Sequence, residues 1–250
     1  MTDEEVLRGG AVNSSVVRIG DTVHRTASAA TPAVHDLLRH LDAKGFGGAP
    51  RALGFDEQGR EILSYIAGTV SLDDAWPDVL HQDEGLVAVV RLIRRFHDAV
   101  ADYTLPGLGA GEIMCHGDPG PWNIVWSDHR PIALIDWDFA LPAVPLYDVS
   151  YVAFEMVPLR DDDRCAQVGF ADVPDRVSRL RLVCDTYGRG ATPETLIDLA
   201  ERHQLADIDE IEELGPQGVE PFKTFMERGL ADEARAMLEW LRLHREMFLG

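Results

Sequence analysis

Apolar and polar residues alternate through SSVVRIGDTVHRT, residues 14–26, on both sides of Gly20-Asp21, and a period of two about such a turn predicts a β-hairpin. The period then lengthens. TPAVHDLLRHLDAKG, residues 31–45, sets Val34, Leu37, Leu38 and Leu41 on one helical face, with Thr31 as N-cap, Pro32 at the first helical position and Gly45 as the stop. RALGF and REILSYI, separated by the turn DEQG, read as two further strands. From about residue 71 the pattern is helical. EGLVAVVRLIRRFHDAV aligns Leu86, Val89, Val90, Ile93, Phe96 and Val100, and VSRLRLVCDTYG and FMERGLADEARAMLEWLRLHREMF follow the same spacing. A strand-rich island interrupts this part: EIMCH, NIVW and IALID are apolar runs too short for helices, and SDHR turns the second into the third.

These elements predict an α+β chain in two lobes. Residues 1–70 form a small antiparallel sheet with one helix, and residues 71–250 form a larger, mainly helical lobe, with SYIAGTVSLDDAW as the join. At 250 residues and 46% hydrophobic the chain can bury a substantial core. There is no run of about 18 apolar residues, and MTDEEVLRGG is acidic without an apolar segment, so the expectation is a soluble protein with no membrane partner. Cys115, Cys165 and Cys184 are odd in number and lack C-x-x-C spacing, which suits a reduced cytoplasm rather than a disulfide framework.

Charge narrows the partner. The formal net charge is -20, which argues against a nucleic-acid backbone as ligand. It is also uneven: the first 70 residues hold seven basic and nine acidic residues, the remainder 16 and 34. An acidic helical part attracts a cationic small molecule, although plain solubility accounts for the same composition. Its candidate acidic residues, among them Asp148, Glu155, Asp161, Asp162, Asp163, Glu227 and Asp232, are not ranked by the sequence.

The chemistry concentrates in HGDPGPWN, residues 116–123, and IDWD, residues 135–138. His116, Asp118, Asn123 and Asp136 offer one imidazole and several hard oxygen donors. Asn123 and Asp136 can hold Mg2+, leaving Asp118 to accept a proton, which is the division of labour that phosphoryl transfer requires. The interval from Asp118 to Asn123 is that of the kinase catalytic loop H-R-D-x-x-x-x-N, and Asp136 follows a strand-turn-strand where kinases carry the Asp of D-F-G. Trp122, Trp126 and Trp137 around these motifs read as core residues, and Asp148 as a helix-start residue.

With Gly after the His and DWD in place of DFG, the chain resembles the aminoglycoside phosphotransferase and choline kinase-like family, which has the protein-kinase-like fold. The resemblance runs in order along most of the chain. It implies Asp118 as catalytic base with His116 bracing its loop, Asn123 and Asp136 as Mg2+ ligands, ATP or GTP as phosphoryl donor, and a small, cationic acceptor such as an aminoglycoside or amino-alcohol. Monomer and homodimer are both compatible with it. Gly10, Asn13 and Ser14 match the hairpin that covers the phosphates, without G-x-G-x-x-G or a Walker pattern, and Ser64, Tyr65 and Ile66 match the purine-binding hinge.

The departure is at the phosphate-binding cation. Kinases place a Lys on the third strand and pair it with a Glu of the next helix, whereas here the strand offers Arg25 and the helix offers His35, Asp36 and Asp42 but no Glu. The alternative to a working transferase is therefore a kinase-fold protein that binds nucleotide or ligand without turnover.

Overall fold

The computed structural model describes residues 4–7, 16–71 and 76–249. By packing, the chain divides into two compact units, Met1–Ser71 with Leu92–Pro145 and Leu72–Arg91 with Leu146–Gly250. The loop that carries Asp118 thus packs with the N-terminal sheet.

In the first unit a five-stranded antiparallel sheet has the order β1-β2-β3-β5-β4, built from β1 (Glu4–Leu7), β2 (Val16–Ile19), β3 (Thr22–Arg25), β4 (Ala52–Phe55) and β5 (Glu61–Ser64). The hairpin turns at Gly20-Asp21 as the alternation requires, with Gly20 at φ +61. Helix α1 (Thr31–Ala43) buries Val34, Leu37, Leu38 and Leu41, a burial worth about 1.5–3 kcal/mol per large apolar side chain. Its start corrects the expected cap: Thr31 is already helical, Ala30 is the N-cap, and the Thr31 hydroxyl instead accepts the Ser28 N–H at 2.9 Å. Gly45, at φ +69, lies just past the end.

Helix α2 (Asp83–Ala99) buries Leu86, Val89, Val90, Ile93 and Phe96, and Val100, the sixth expected apolar position, is buried one residue past its end. After it come β6 (Ile113–Cys115), β7 (Ile124–Ser127), β8 (Arg130–Leu134) and β9 (Leu141–Ala143). β7 and β8 pair through a two-residue turn in which Asp128 and His129 both have positive φ, the geometry that suits the twist of a tight hairpin. β6 pairs with β9, a strand the apolar pattern does not announce because Pro142 stands in its middle. Beneath these pairs Phe96 meets Trp137 edge-on at 5.0 Å, and Trp137 packs against the ring of His116 at 4.5 Å. Trp126 and Trp137 are core residues; Trp122 is only half-buried, and the core assignment does not hold for it.

The second unit is helical: α3 (Leu146–Met156), α4 (Asp162–Gln167), α5 (Arg176–Tyr187), α6 (Pro193–Leu214), α7 (Phe222–Glu227) and α8 (Leu230–Leu249). α6 packs on α3 and α8. Asp161, Asp175 and Thr192 cap α4, α5 and α6 by accepting backbone N–H groups. Asp148 lies buried in the first turn of α3. The single helix expected over residues 225–248 is broken at Gly229, whose φ of +77 no continuous helix accommodates. Arg179 of α5 is buried and ties the segment before α2 to α3, donating to the carbonyls of Leu80 and Met156 and to the carboxylate of Asp83.

Candidate active site

The loop between β6 and β7 is shaped by close approaches. Gly117 has φ +86, and a Cβ there would lie 2.0 Å from the Phe139 carbonyl oxygen. A Cβ on Gly120 would lie 2.4 Å from the Trp122 ring. Each glycine lets the loop fold onto the chain that follows it. The loop ends in one 3-10 turn, Pro121–Asn123, which delivers Asn123 to the start of β7.

Inside this loop His116 is buried and bonded on both sides. Its Nε2 donates to the Ile135 carbonyl at 3.0 Å, and its Nδ1 accepts the Asp118 backbone N–H at 3.3 Å, the pattern of a neutral imidazole. One ring therefore joins the Asp118 loop to the residue before Asp136. The Asp118 carboxylate is held in turn: its Oδ2 accepts from Asn123 Nδ2 at 2.8 Å and from Trp122 Nε1 at 3.2 Å. Through this bond Trp122 joins the candidate site, and no motif in the sequence marks it. The Asn123 amide nitrogen also donates to the Asp118 carbonyl at 2.9 Å, so the opposite end of the amide presents its oxygen.

Asp136 is in the left-handed region, at φ +62, on the turn after β8. Arg25 of β3 reaches it. The guanidinium donates from Nη1 to Asp136 Oδ1 at 2.8 Å, and grips Asp138 with a fork, Nη2 to Oδ1 at 2.6 Å and Nη1 to Oδ2 at 3.1 Å. Its Nε donates to Glu61 Oε1 at 2.6 Å. Glu61 is the cross-strand neighbour of Arg25 in the β3–β5 ladder. Its other oxygen, Oε2, accepts from His35 Nε2 of α1 at 3.0 Å, and both side chains are 1% exposed.

Strand and helix have thus traded residue types: the carboxylate that anchors the cation comes from β5, and the helix supplies the imidazole behind it. Burial by itself would weaken the charge on Arg25, but Asp138, Asp136 and Glu61 outweigh that and hold it firmly protonated. Burial raises the Asp138 carboxyl above the usual carboxylate range, with Asp136 and Glu61 adding to the rise and Arg25 opposing it. The neighbouring His24 points to the other side of the strand, where its Nδ1 donates to Asp56 Oδ2 at 3.0 Å.

Three carboxylates facing one guanidinium leave an excess of two negative charges when all are ionised. The oxygen of Asn123, with Asp136 and Asp138, makes a hard donor set of the kind Mg2+ prefers, so the residues fit a divalent cation.

The remaining candidates are placed as follows. Ser64 closes β5, its N–H bonded to the Arg51 carbonyl and its hydroxyl accepting the Arg51 N–H. The Tyr65 N–H bonds to the Asp21 carbonyl, and the Arg18 guanidinium stands 3.8 Å over the Tyr65 ring. These two backbone donors are committed within the sheet, and Ile66, next in line, is half-buried. Gly10, Asn13 and Ser14 lie outside the described residues. Among the described residues no helix is long and apolar enough to cross a membrane.

Residues 100–179 match the family described as "Phosphotransferase enzyme family". The chain is 36% identical over 219 residues to the trifolitoxin immunity protein of Rhizobium leguminosarum bv. trifolii, a match that covers 80% of this chain and 82% of the relative. Among solved structures it resembles the streptomycin-ATP-APH(2")-IIa ternary complex, at 12% identity over 84% of this chain and 85% of that one with a TM-score of 0.56. It also resembles a choline/ethanolamine kinase family protein from Mesorhizobium loti, at 20% identity over 96% of this chain and 92% of that one with a TM-score of 0.53. At these identities the structural likeness establishes the fold, which is kinase-like.

Proposed function

Since the chain belongs to the phosphotransferase enzyme family, we propose that it moves the terminal phosphoryl group of ATP or GTP to a hydroxyl of a small, cationic molecule such as an aminoglycoside or amino-alcohol. In this reading residues 1–70 hold the nucleotide and residues 71–250 supply the catalytic loop and the acceptor site. The observation that carries it is the pair of hydrogen bonds made by His116, which join the Asp118 loop to the chain at Ile135 and so keep the base and the cation ligands in one frame.

Asp118 orients the acceptor hydroxyl and takes its proton as the oxygen attacks phosphorus; the nucleoside diphosphate leaves. Asn123 and Trp122 hold the carboxylate in position through Oδ2. Asn123 and Asp136, with Asp138 beside them, would hold Mg2+, which when bound would neutralise charge on the transferring group. Arg25 contributes a fixed positive charge toward the phosphates. The bound streptomycin and ATP of one structural neighbour and the choline/ethanolamine kinase assignment of the other support a nucleotide donor and an amine-bearing acceptor.

A second reading is favoured by two observations. Arg25 covers Asp136 and Asp138, and the curated relative is named for immunity to a toxin. Protection would then come from binding the toxic molecule without modifying it.

The test is Mg2+-dependent ATP and GTP turnover against a panel of hydroxylated amines. Asp118→Asn lowers turnover at least about a hundredfold while Mg-nucleotide binding persists. Undiminished turnover in this variant sinks the assignment of Asp118, and absence of turnover with every acceptor, with ligand binding retained, selects the second reading.

A further inference from the structure

Arg25 does two unlike things with its two ends. The Nε end is anchored at 2.6 Å to Glu61, a side chain 1% exposed and itself braced by His35. The Nη end forks onto Asp136 and Asp138, whose side chains are 36% and 26% exposed. Burial thus falls off along the guanidinium, from a sealed anchor to an open edge. The fork that fits a carboxylate also fits a phosphate, since both offer paired oxygens to parallel N–H donors. The carboxylates it grips belong to the donor set that suits a divalent cation.

We propose that Arg25 is an exchangeable counter-ion: in the nucleotide-free protein it neutralises Asp136 and Asp138, and it passes its fork to the nucleotide phosphates when these arrive, releasing the aspartates to the divalent cation. This rests on the phosphotransferase reading and adds an order of loading to it. A divalent cation arriving alone must compete with a positive charge already seated on its ligands. A nucleotide arriving removes that competitor. The Glu61 bond keeps the guanidinium at the site during the exchange, so the movement needed is a swing of the Nη end about a fixed Nε. Metal and nucleotide are then coupled through one residue, and the coupling is reciprocal.

The exchange predicts opposite signs for two binding measurements on the full chain, a signature that a merely structural Arg25 does not give. Free Mn2+ is titrated by electron paramagnetic resonance without nucleotide, and an ATP analogue is titrated by calorimetry in EDTA without metal. Arg25→Met is expected to bind Mn2+ at least about fivefold more tightly than wild type, and the metal-free nucleotide at least about tenfold more weakly. Arg25→Lys keeps a charge but cannot fork onto both aspartates while holding Glu61, so it binds Mn2+ at least about twofold more tightly. Should Arg25→Met fail to fold, as judged by its melting curve, the Lys variant decides alone. Mn2+ affinity unchanged or weakened in a folded variant overturns the counter-ion role. Tighter Mn2+ with weaker nucleotide upholds the exchange even where no acceptor is turned over, so its outcome is separable from that of the transferase reading.

Discussion

Replacing Glu61 by Gln removes the anchor charge of the Arg25 cluster while preserving side-chain volume. The carboxylate is 1% exposed and accepts two short bonds, from Arg25 Nε at 2.6 Å and from His35 Nε2 at 3.0 Å. A hydrogen bond to a charged group contributes about 1.5–3 kcal/mol, and breaking a buried ion pair by removing one partner costs about 3–5 kcal/mol. Arg25 retains Asp136 and Asp138 in the variant, which places the loss near the lower figure, about 3 kcal/mol. Urea unfolding followed together by tryptophan fluorescence and circular dichroism measures it. His35→Ala is made alongside, and the double variant is expected to depart from additivity by more than about 0.5 kcal/mol because both residues act through one carboxylate. A loss below about 1 kcal/mol in Glu61→Gln, with additive behaviour in the double variant, refutes the reasoning that Glu61 is the electrostatic anchor of this cluster.

Two further outcomes follow from geometry elsewhere. Burial lowers the His203 pKa from 6.5 to about 4, with Asp148 opposing, so between those pH values the unfolded chain binds the proton and the folded one does not; stability is full above pH 6.5 and falls by about 3 kcal/mol as pH drops toward 4. His203→Gln should flatten this dependence, and an unchanged urea-midpoint slope between pH 7 and 4.5 counts against it. Gly117→Ala, forced into a positive φ with its Cβ 2.0 Å from the Phe139 oxygen, should displace the Asp118 loop and, on the proposed function, lower phosphoryl transfer at least about tenfold; wild-type kinetics would show the loop tolerant of a side chain there.

Local signals carried the hairpin, α1, α2 and the strand-turn-strand of β7 and β8, because each buries one face and its period survives in the residues themselves. Where burial is mixed, the period is lost. β1 has three exposed residues in four and exists by pairing with β2. α6 opens on Thr192-Pro193, the same start signal as Thr31-Pro32, but its buried face includes His203 and Gln204, which break the apolar spacing. The break at Gly229 is written in the sequence as one glycine, which helix periodicity alone overrides.

The site divides in the same way. Asp118, Asn123 and Asp136 stand out as candidates because their spacing is fixed within one loop and one hairpin. Trp122 reads as core because an aromatic in an apolar neighbourhood usually is; its half-buried position and its indole N–H, pointed at Asp118, separate it from Trp126 and Trp137. Glu61 carries no motif. Its role follows from the register of β3 on β5, which sets it opposite Arg25 across 36 residues of chain, and no local pattern encodes a pairing of that range.

That register also changes the meaning of the departure at Arg25. Taken residue by residue, an Arg for the strand Lys and a helix without Glu look like two losses. Taken together they are one arrangement. A Lys ammonium is a single point charge and serves one cluster of oxygens, whereas a guanidinium has a separate Nε donor and a terminal fork. With Glu61 supplied from the adjoining strand, the Nε donor faces the anchor and the fork is left for Asp136 and Asp138. Helix α1 then needs no carboxylate at all; it needs a donor to steady Glu61, and His35 is that donor. The consequence reaches the choice of variants: Arg25→Lys, conservative by charge, removes one of the two ends and separates the anchored function from the forked one.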